Sequence, residues 1–287
     1  MNITIDCLPC FVRHTVEVLR EFTDDEAVQE YVLREILRMI ADLDFTKSPP
    51  EFAAEVHALI RKCLHIADPY RKIKDDSNRL AESLYPILEN RVRLSDDPLK
   101  LSLLYAIAGN IIDSGVSAVT SEDEVLASIE MAENICPAID HSGLLFQKIS
   151  EASNILILGD NAGEIVFDRL FLQQLKSKNI FYAVKGAPIL NDALREDALW
   201  AGIDKYATIL DTAVAIPGTV LEKSSPELND AFRSAEVILA KGQANYETLS
   251  DLNDPRLFFA LRAKCSVISR KVGVRQGSFV VMNAVVV

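Results

Sequence analysis

Apolar positions recur at helical spacing through the first half of the chain and switch, near Asn154, to short aliphatic runs. Leu33, Ile36, Leu37 and Ile40 repeat at i, i+3, i+4 and i+7, and Phe52, Val56, Leu59, Ile60 and Cys63 continue the pattern. Similar stripes run through Ile73, Leu80, Leu84, Ile87 and Leu88, then through Leu101, Leu104, Tyr105 and Ala108. Pro49-Pro50, Asp68-Pro69 and Asp96-Asp97-Pro98 read as helix starts, because proline is tolerated in a first turn and not beyond it. Residues 11 to about 150 are therefore expected to be all-helical.

Beyond Asn154 the runs at 154–158, 180–184, 207–210, 236–240, 266–269 and 278–287 read as strands. Between them, helices are expected near 163–177, 192–201, 226–234 and 255–263. Strand and helix in alternation imply right-handed crossovers and a mostly parallel sheet covered by helices. The division falls near 145–153, giving a helical domain over 1–150 and an α/β domain over 151–287.

Composition narrows the class. A chain of 287 residues with 25% charged side chains and only 11 Gly and 11 Pro has ample core and no low-complexity stretch. The net charge of −12 argues against nucleic acid or an anionic membrane as partner, so an anionic substrate has to be met by local Lys, Arg or metal. No apolar segment approaches the roughly 20 residues of a membrane helix, and the start MNITIDCLPCFV lacks a basic leader. Five scattered cysteines suit a reducing compartment better than a disulfide framework, and the expected location is cytoplasmic.

The most informative stretch is ILILGDNAGE at 155–164, an aliphatic run broken abruptly by Gly159, Asp160, Asn161, Ala162 and Gly163. It predicts a strand buried on both faces that delivers a carboxylate and an amide oxygen to its carboxyl end, where open α/β sheets collect ligands. Three more polar clusters follow strands in the same way: Lys185-Gly186 through Asn191-Asp192, Asp211-Thr212, and Lys241-Gly242-Gln243 with Asn245 and Glu247. On a parallel sheet these converge on one rim. Two carboxylates and an amide suit Mg²⁺ or Mn²⁺, and Lys185 or Lys241 could face a phosphate, although turns are rich in Asp, Asn and Gly for conformational reasons alone.

Familiar alternatives are missing. Gly159-x-x-x-Gly163 fits neither the dinucleotide fingerprint nor the P-loop, and the chain has no H-E-x-x-H and no G-x-S-x-G. The histidines His14, His57, His65 and His141 are scattered, so surface or capping roles are expected. Cys7-x-x-Cys10 could be half of a metal site or a redox couple. Its other reading is two small hydrophobes at the start of a helix.

Seven segments resemble, in order, the motifs of the domain-of-unknown-function-89 family of metal-dependent damage-control phosphatases. They are CLPCFVR at 7–13, DPYRKIK at 68–74, GNIIDSG at 109–115, GDNAGEIVFD at 159–168, KGAPILNDA at 185–193, AKGQANYETL at 240–249 and AKC at 263–265. The N-terminal Cys pair resembles the prokaryotic-type branch. The resemblance implies a helical N-terminal domain packed on a Rossmann-like three-layer α/β/α domain, with one divalent metal, Mn, Mg, Co or Ni, at the rim. It carries the metal ligands onto Asp160, Asn161 and Asp192 and a phosphate-facing lysine onto Lys241. A second basic position falls on Lys264, and substrate contacts from the helical side fall on Asn110 and Asp113.

The resulting expectation is a phosphatase that hydrolyses a small phosphorylated metabolite, a sugar phosphate or a damaged or overflow phosphometabolite. Asp160 and Lys241 would act in catalysis, Asp160 either as a ligand alone or also in placing the attacking water. Two alternatives stand beside it: a metal- or thiol-dependent binding or sensor protein built on Cys7 and Cys10, and a nucleotide-cofactor transferase.

Overall fold

The computed structural model describes residues 1–109, 126–127, 129–130, 133 and 136–286. Five helices come first: α1 (Leu8–Phe22), α2 (Glu26–Ala41), α3 (Pro49–Leu64), α4 (Arg71–Leu94) and α5 (Pro98–Ala108). Their starts follow local chemistry. The Asp25 carboxylate caps α2 by accepting from the Ala27 and Val28 amides, Ser48 and Glu51 form a capping box before Pro49, and Asp97 accepts from Lys100 N ahead of α5. These side chains satisfy N–H groups that a first helical turn leaves without partners.

A seven-stranded sheet follows, of β1 (Ile139–Asp140), β2 (Asn154–Leu158), β3 (Asn179–Val184), β4 (Thr208–Asp211), β5 (Val237–Lys241), β6 (Leu257–Arg262) and β7 (Phe279–Asn283). Its spatial order is β1-β7-β6-β5-β2-β3-β4. The five strands from β6 to β4 are mutually parallel, β7 runs antiparallel to β6, and β1 lies parallel to β7. The helices between them are α6 (Ser142–Glu151), α7 (Glu164–Leu172), α8 (Arg195–Trp200), α9 (Pro226–Ser234), α10 (Gly242–Leu249) and α11 (Ser266–Val272). Thus β1 and α6 add to the layers of the sheet from residues upstream of 151.

Alternation along β2 shows why the run reads as uniformly apolar. Ile155 and Ile157 enter one core with Leu84 and Leu88 of α4, Ile107 of α5 and Phe167 of α7. Leu156 and Leu158 enter the opposite core with Phe232 of α9, Tyr246 of α10 and Ile268 of α11. A strand buried on both faces has no polar register. A third core joins Val18, Val32, Ile36, Phe52, Val56 and Ile60 of α1 to α3, and Leu190 from the loop after β3 packs against it. The helical region therefore leans on the same rim that the parallel strands create.

Two expected elements exchange type. Residues 255–263 hold the strand β6 rather than a helix, and 266–269 lie in helix α11 rather than a strand. LFFALR is buried from Leu257 to Leu261, as a central strand covered on both sides requires. SVIS is too short to decide by itself. It is the first turn of a helix opened by the Cys265 side chain, which accepts from Ile268 N, and closed at Gly273 with φ +80°, after Arg270 and Lys271. The final run is strand only over Phe279–Asn283, because the Asn283 side chain accepts from the Val285 and Val286 amides and turns the chain.

No helix among the described residues is long and apolar enough to cross a membrane. All five cysteines are free thiols.

Candidate active site

In the sheet, β3 and β4 extend from one side of β2, while β5 and β6 extend from the other. The chain order reverses between β2 and β5, and open sheets bind ligands at such a point, outside the carboxyl ends of the strands. Asp160 follows β2 there, Lys241 ends β5 and Gly242 opens α10.

Backbone hydrogen bonds stitch the loop after β2 to the loop after β3. Ala162 N donates to Asn191 O and Ala193 N donates to Asp160 O, both at 2.9 Å. Between these bonds Asn161 and Asp192 face each other as an antiparallel bridge. Asp160, Asn161 and Asp192, distant in sequence, thus become one cluster, each less than a tenth exposed. Asn161 Nδ2 donates to Asp160 Oδ2 at 2.9 Å, which turns the amide oxygen to other use. Lys185, at the end of β3, donates to Gly218 O at 2.7 Å and stands 3.6 Å from Asp192 Oδ2.

Charge is concentrated here. Burial pushes the Asp160 carboxyl well above the ordinary range, and Glu164 and Asp192 push it further, while Lys264 and Lys185 pull it back. Lys264 is exposed, and its backbone N–H donates to Gln243 Oε1 at 3.1 Å.

Lys241 lies beneath this surface, 1% exposed. Its ammonium donates to Glu164 Oε1 and Asp168 Oδ1 at 2.5 Å each and to Ala106 O at 3.0 Å. Three N–H donors meet three acceptors. Burial opposes the charge, but Asp168 and Glu164 outweigh it and hold the ammonium above the usual lysine range. Tyr182 donates to the second oxygen of Asp168 at 2.5 Å. Asn245 fixes the end of β5 by donating to Lys241 O at 2.7 Å, and Thr219 donates to Asn245 Oδ1 at 2.8 Å.

Other expected residues lie elsewhere. Asn110 and Asp113 fall outside the described residues. Asp211 is taken up by Arg195, and the Thr212 hydroxyl accepts from Gly186 N, tying the loop after β4 to the loop after β3. Cys7 is half-buried at the start of α1, within 3.5 Å of the Thr4 hydroxyl, and Cys10 is exposed. His65 caps α3 in the left-handed region, as expected of a capping histidine. His57 departs from the surface role expected of it: it is buried, its Nε2 stands 3.0 Å from that of His14, and its ring packs near Tyr70.

Glu164, Asp168 and Tyr182 escaped the reading of strand ends. A signal was present. EIVFDRLFL is buried from Glu164 to Asp168, and two carboxylates four residues apart within so apolar a helix require a buried cation. Lys241 is that cation.

Known proteins resemble this chain over nearly its whole length. The family model described as the damage-control phosphatase ARMT1-like domain matches residues 3–280. A damage-control phosphatase of Pyrococcus horikoshii is 32% identical, with 99% of this chain and 98% of that protein aligned. A damage-control phosphatase of Archaeoglobus fulgidus is 30% identical over 98% of each chain, and an uncharacterized protein of Methanocaldococcus jannaschii is 34% identical over 99% of this chain and 96% of its own length. The crystal structure of a DUF89 family protein from Pyrococcus horikoshii superposes with a TM-score of 0.92 at 30% identity, covering 99% of both chains. Sequence and fold together place the chain in the ARMT1-like, DUF89 family of damage-control phosphatase domains.

Proposed function

We propose that this chain is a divalent-metal-dependent phosphatase acting on a small phosphorylated metabolite, a sugar phosphate or a damaged or overflow phosphometabolite. The observation that carries this reading is the stitched pair of loops that gathers Asp160, Asn161 and Asp192 at the switch point of the sheet. Family membership and the names of two relatives support the phosphatase class.

The donor set fits a hard cation. Among the described residues no three His, Cys, Asp or Glu side chains are grouped to hold a metal; here the donors are two carboxylates and the Asn161 amide oxygen. All are oxygens, as Mg²⁺ or Mn²⁺ prefer, and Co²⁺ or Ni²⁺ accept such a set too. Burial first, and then the neighbouring Glu164 and Asp192 carboxylates, disfavour the charged form of Asp160, and a divalent ion would favour it. Such an ion supplies Lewis-acid polarisation of a phosphoryl oxygen and a template for in-line attack.

The chain's own residues do the rest. Asp160, Asn161 and Asp192 would hold the cation, with Asp160 either a ligand alone or also the group that orients the attacking water. Lys264 draws the phosphate by its charge from the exposed edge. Lys241 fixes Glu164 and Asp168, and so the first turns of α7 below the Asp160 loop. Lys241 thus serves the site by positioning, and direct contact with a phosphoryl group would require its ammonium to leave one of its three acceptors. α5 ends beside the site, with Gly109 packed against Glu164, and the substrate contact from Asn110 and Asp113 rests on the family resemblance alone. Cys7 and Cys10 take no part in this scheme.

The test is phosphate release from a panel of phosphorylated metabolites, with Mn²⁺, Mg²⁺, Co²⁺ or Ni²⁺ and with chelator. Turnover that needs a divalent ion supports the reading, and equal turnover in chelator contradicts it.

A further inference from the structure

Asn78 lies in α4, on the helical side of the molecule, yet both ends of its amide are committed to the rim. Oδ1 accepts from Gly163 N at 2.7 Å, and Nδ2 donates to Asp197 Oδ1 at 2.9 Å. The other carboxylate oxygen of Asp197 accepts from Leu194 N at 2.8 Å. Both side chains are buried, at 3% and 1% exposure.

The ends of this chain of hydrogen bonds are informative. Gly163 closes the turn that carries Asp160 and Asn161, has φ +77°, and is pressed by α4 at Ser77, whose Cβ a glycine Cβ would meet at 3.0 Å. Leu194 stands two residues after Asp192 and opens α8. The sequence Gly163, Asn78, Asp197, Leu194 therefore joins the two ligand-bearing turns a second time, through side chains rather than backbone. The partners also fix the chemistry. An N–H on one side and a carboxylate on the other demand one acceptor and one donor, which Asn supplies and neither Asp nor Leu does.

We propose that Asn78 and Asp197 form a positioning clamp that holds the Asp160–Asn161 turn in register with the Asp192 turn, and so sets the affinity of the site for its cation. The proposal rests on the metal-site reading above. Groups that orient metal ligands typically change metal affinity or activity about 10–100-fold when removed.

The test uses Asn78→Ala, Asn78→Asp, and the exchange variant Asn78→Asp with Asp197→Asn. Asn78→Asp sets two carboxylates face to face. In the exchange variant the carboxylate at position 78 still accepts from Gly163 N, while the amide at position 197 donates to it and accepts from Leu194 N. Amide hydrogen exchange at Gly163 and Leu194 and calorimetric binding of Mn²⁺ are measured on proteins with cooperative thermal unfolding. Asn78→Ala loses the bonds to Gly163 and Asp197 and Asn78→Asp the bond to Asp197 alone, so both are expected to loosen the two turns, to speed exchange at both amides about 5–10-fold, and to weaken Mn²⁺ binding about 10–100-fold. The exchange variant is expected to recover most of both losses. Unchanged protection at Leu194 in Asn78→Ala would overturn the clamp, as would an exchange variant no better than Asn78→Asp. A wild-type protein that binds no Mn²⁺ but shows the same exchange pattern would overturn the metal reading and support the clamp.

Discussion

The backbone of Gly242 lies directly against the carboxylate of Asp160: a Cβ on Gly242 would stand 2.0 Å from Oδ2. Gly242 also has φ +77°, which glycine adopts freely and other residues at a cost of about 1–3 kcal/mol. The end of β5 thus sets where the carboxylate after β2 can rest. Gly242→Ala is expected to lower phosphate release about 100-fold, the scale of a displacement near 1 Å at a reacting centre, with a modest fall in melting temperature. Near wild-type turnover would show that this contact does not position Asp160.

Lys241 is a second point of decision. Removing its ammonium leaves Glu164 and Asp168 buried without their cation, and breaking a buried pair in this way costs about 3–5 kcal/mol. Lys241→Met is expected to lose stability on that scale in urea unfolding as well as activity. Adding Glu164→Gln and Asp168→Asn should restore much of the stability and little of the turnover. A Lys241→Met protein as stable as wild type would show that the buried network is not what the lysine serves.

The sequence made the ligand loops legible because strand ends on a parallel sheet are a topological consequence of alternating elements, and ILILGDNAGE states one of them outright. Pro49 and Pro98 marked helix starts for the same local reason that they form them. The exchange of type between 255–263 and 266–269 was hidden, since short apolar runs carry no period and LFFALR is buried on both faces. The Lys241 network and the Asn78–Asp197 clamp were hidden differently. Each joins residues more than 70 apart, and only packing of α4, α5 and α7 on β5 brings them together. His57 misled because a histidine within a charged helix looks exposed until the packing of α1 beside it is seen.

That histidine predicts an acid limb in stability. Burial holds His57 well below the ordinary imidazole range, with His14 and Arg61 adding to the effect. The unfolded chain takes up a proton near pH 6.5 and the native one only at much lower pH. Stability from this group is therefore complete above about pH 6.5 and falls as pH drops below it, by at most about 1.4 kcal/mol per pH unit. His57→Phe is expected to flatten urea-derived stability between roughly pH 6.5 and pH 5. An unaltered slope would assign the limb to other groups.

The Cys pair separates from the rim by experiment. Cys7→Ser with Cys10→Ser is expected to retain most phosphate release and to lose only stability or a bound soft metal, since thiolates favour zinc-like ions over magnesium. Metal content and turnover are measured on the same protein. A folded double variant with no hydrolysis would place the pair in the active site.

Asp192→Ala decides whether a divalent ion held by Asp160, Asn161 and Asp192 drives phosphate release. Phosphate release and the metal-induced rise in melting temperature are measured side by side with wild type, since an ion bound only to the native state raises its stability by mass action. The expected result is a metal-dependent wild type, and a variant that unfolds cooperatively yet shows neither hydrolysis nor a metal-induced shift. An Asp192→Ala protein that keeps near wild-type hydrolysis and the same metal-induced shift would show that Asp192 holds no ion on which hydrolysis depends.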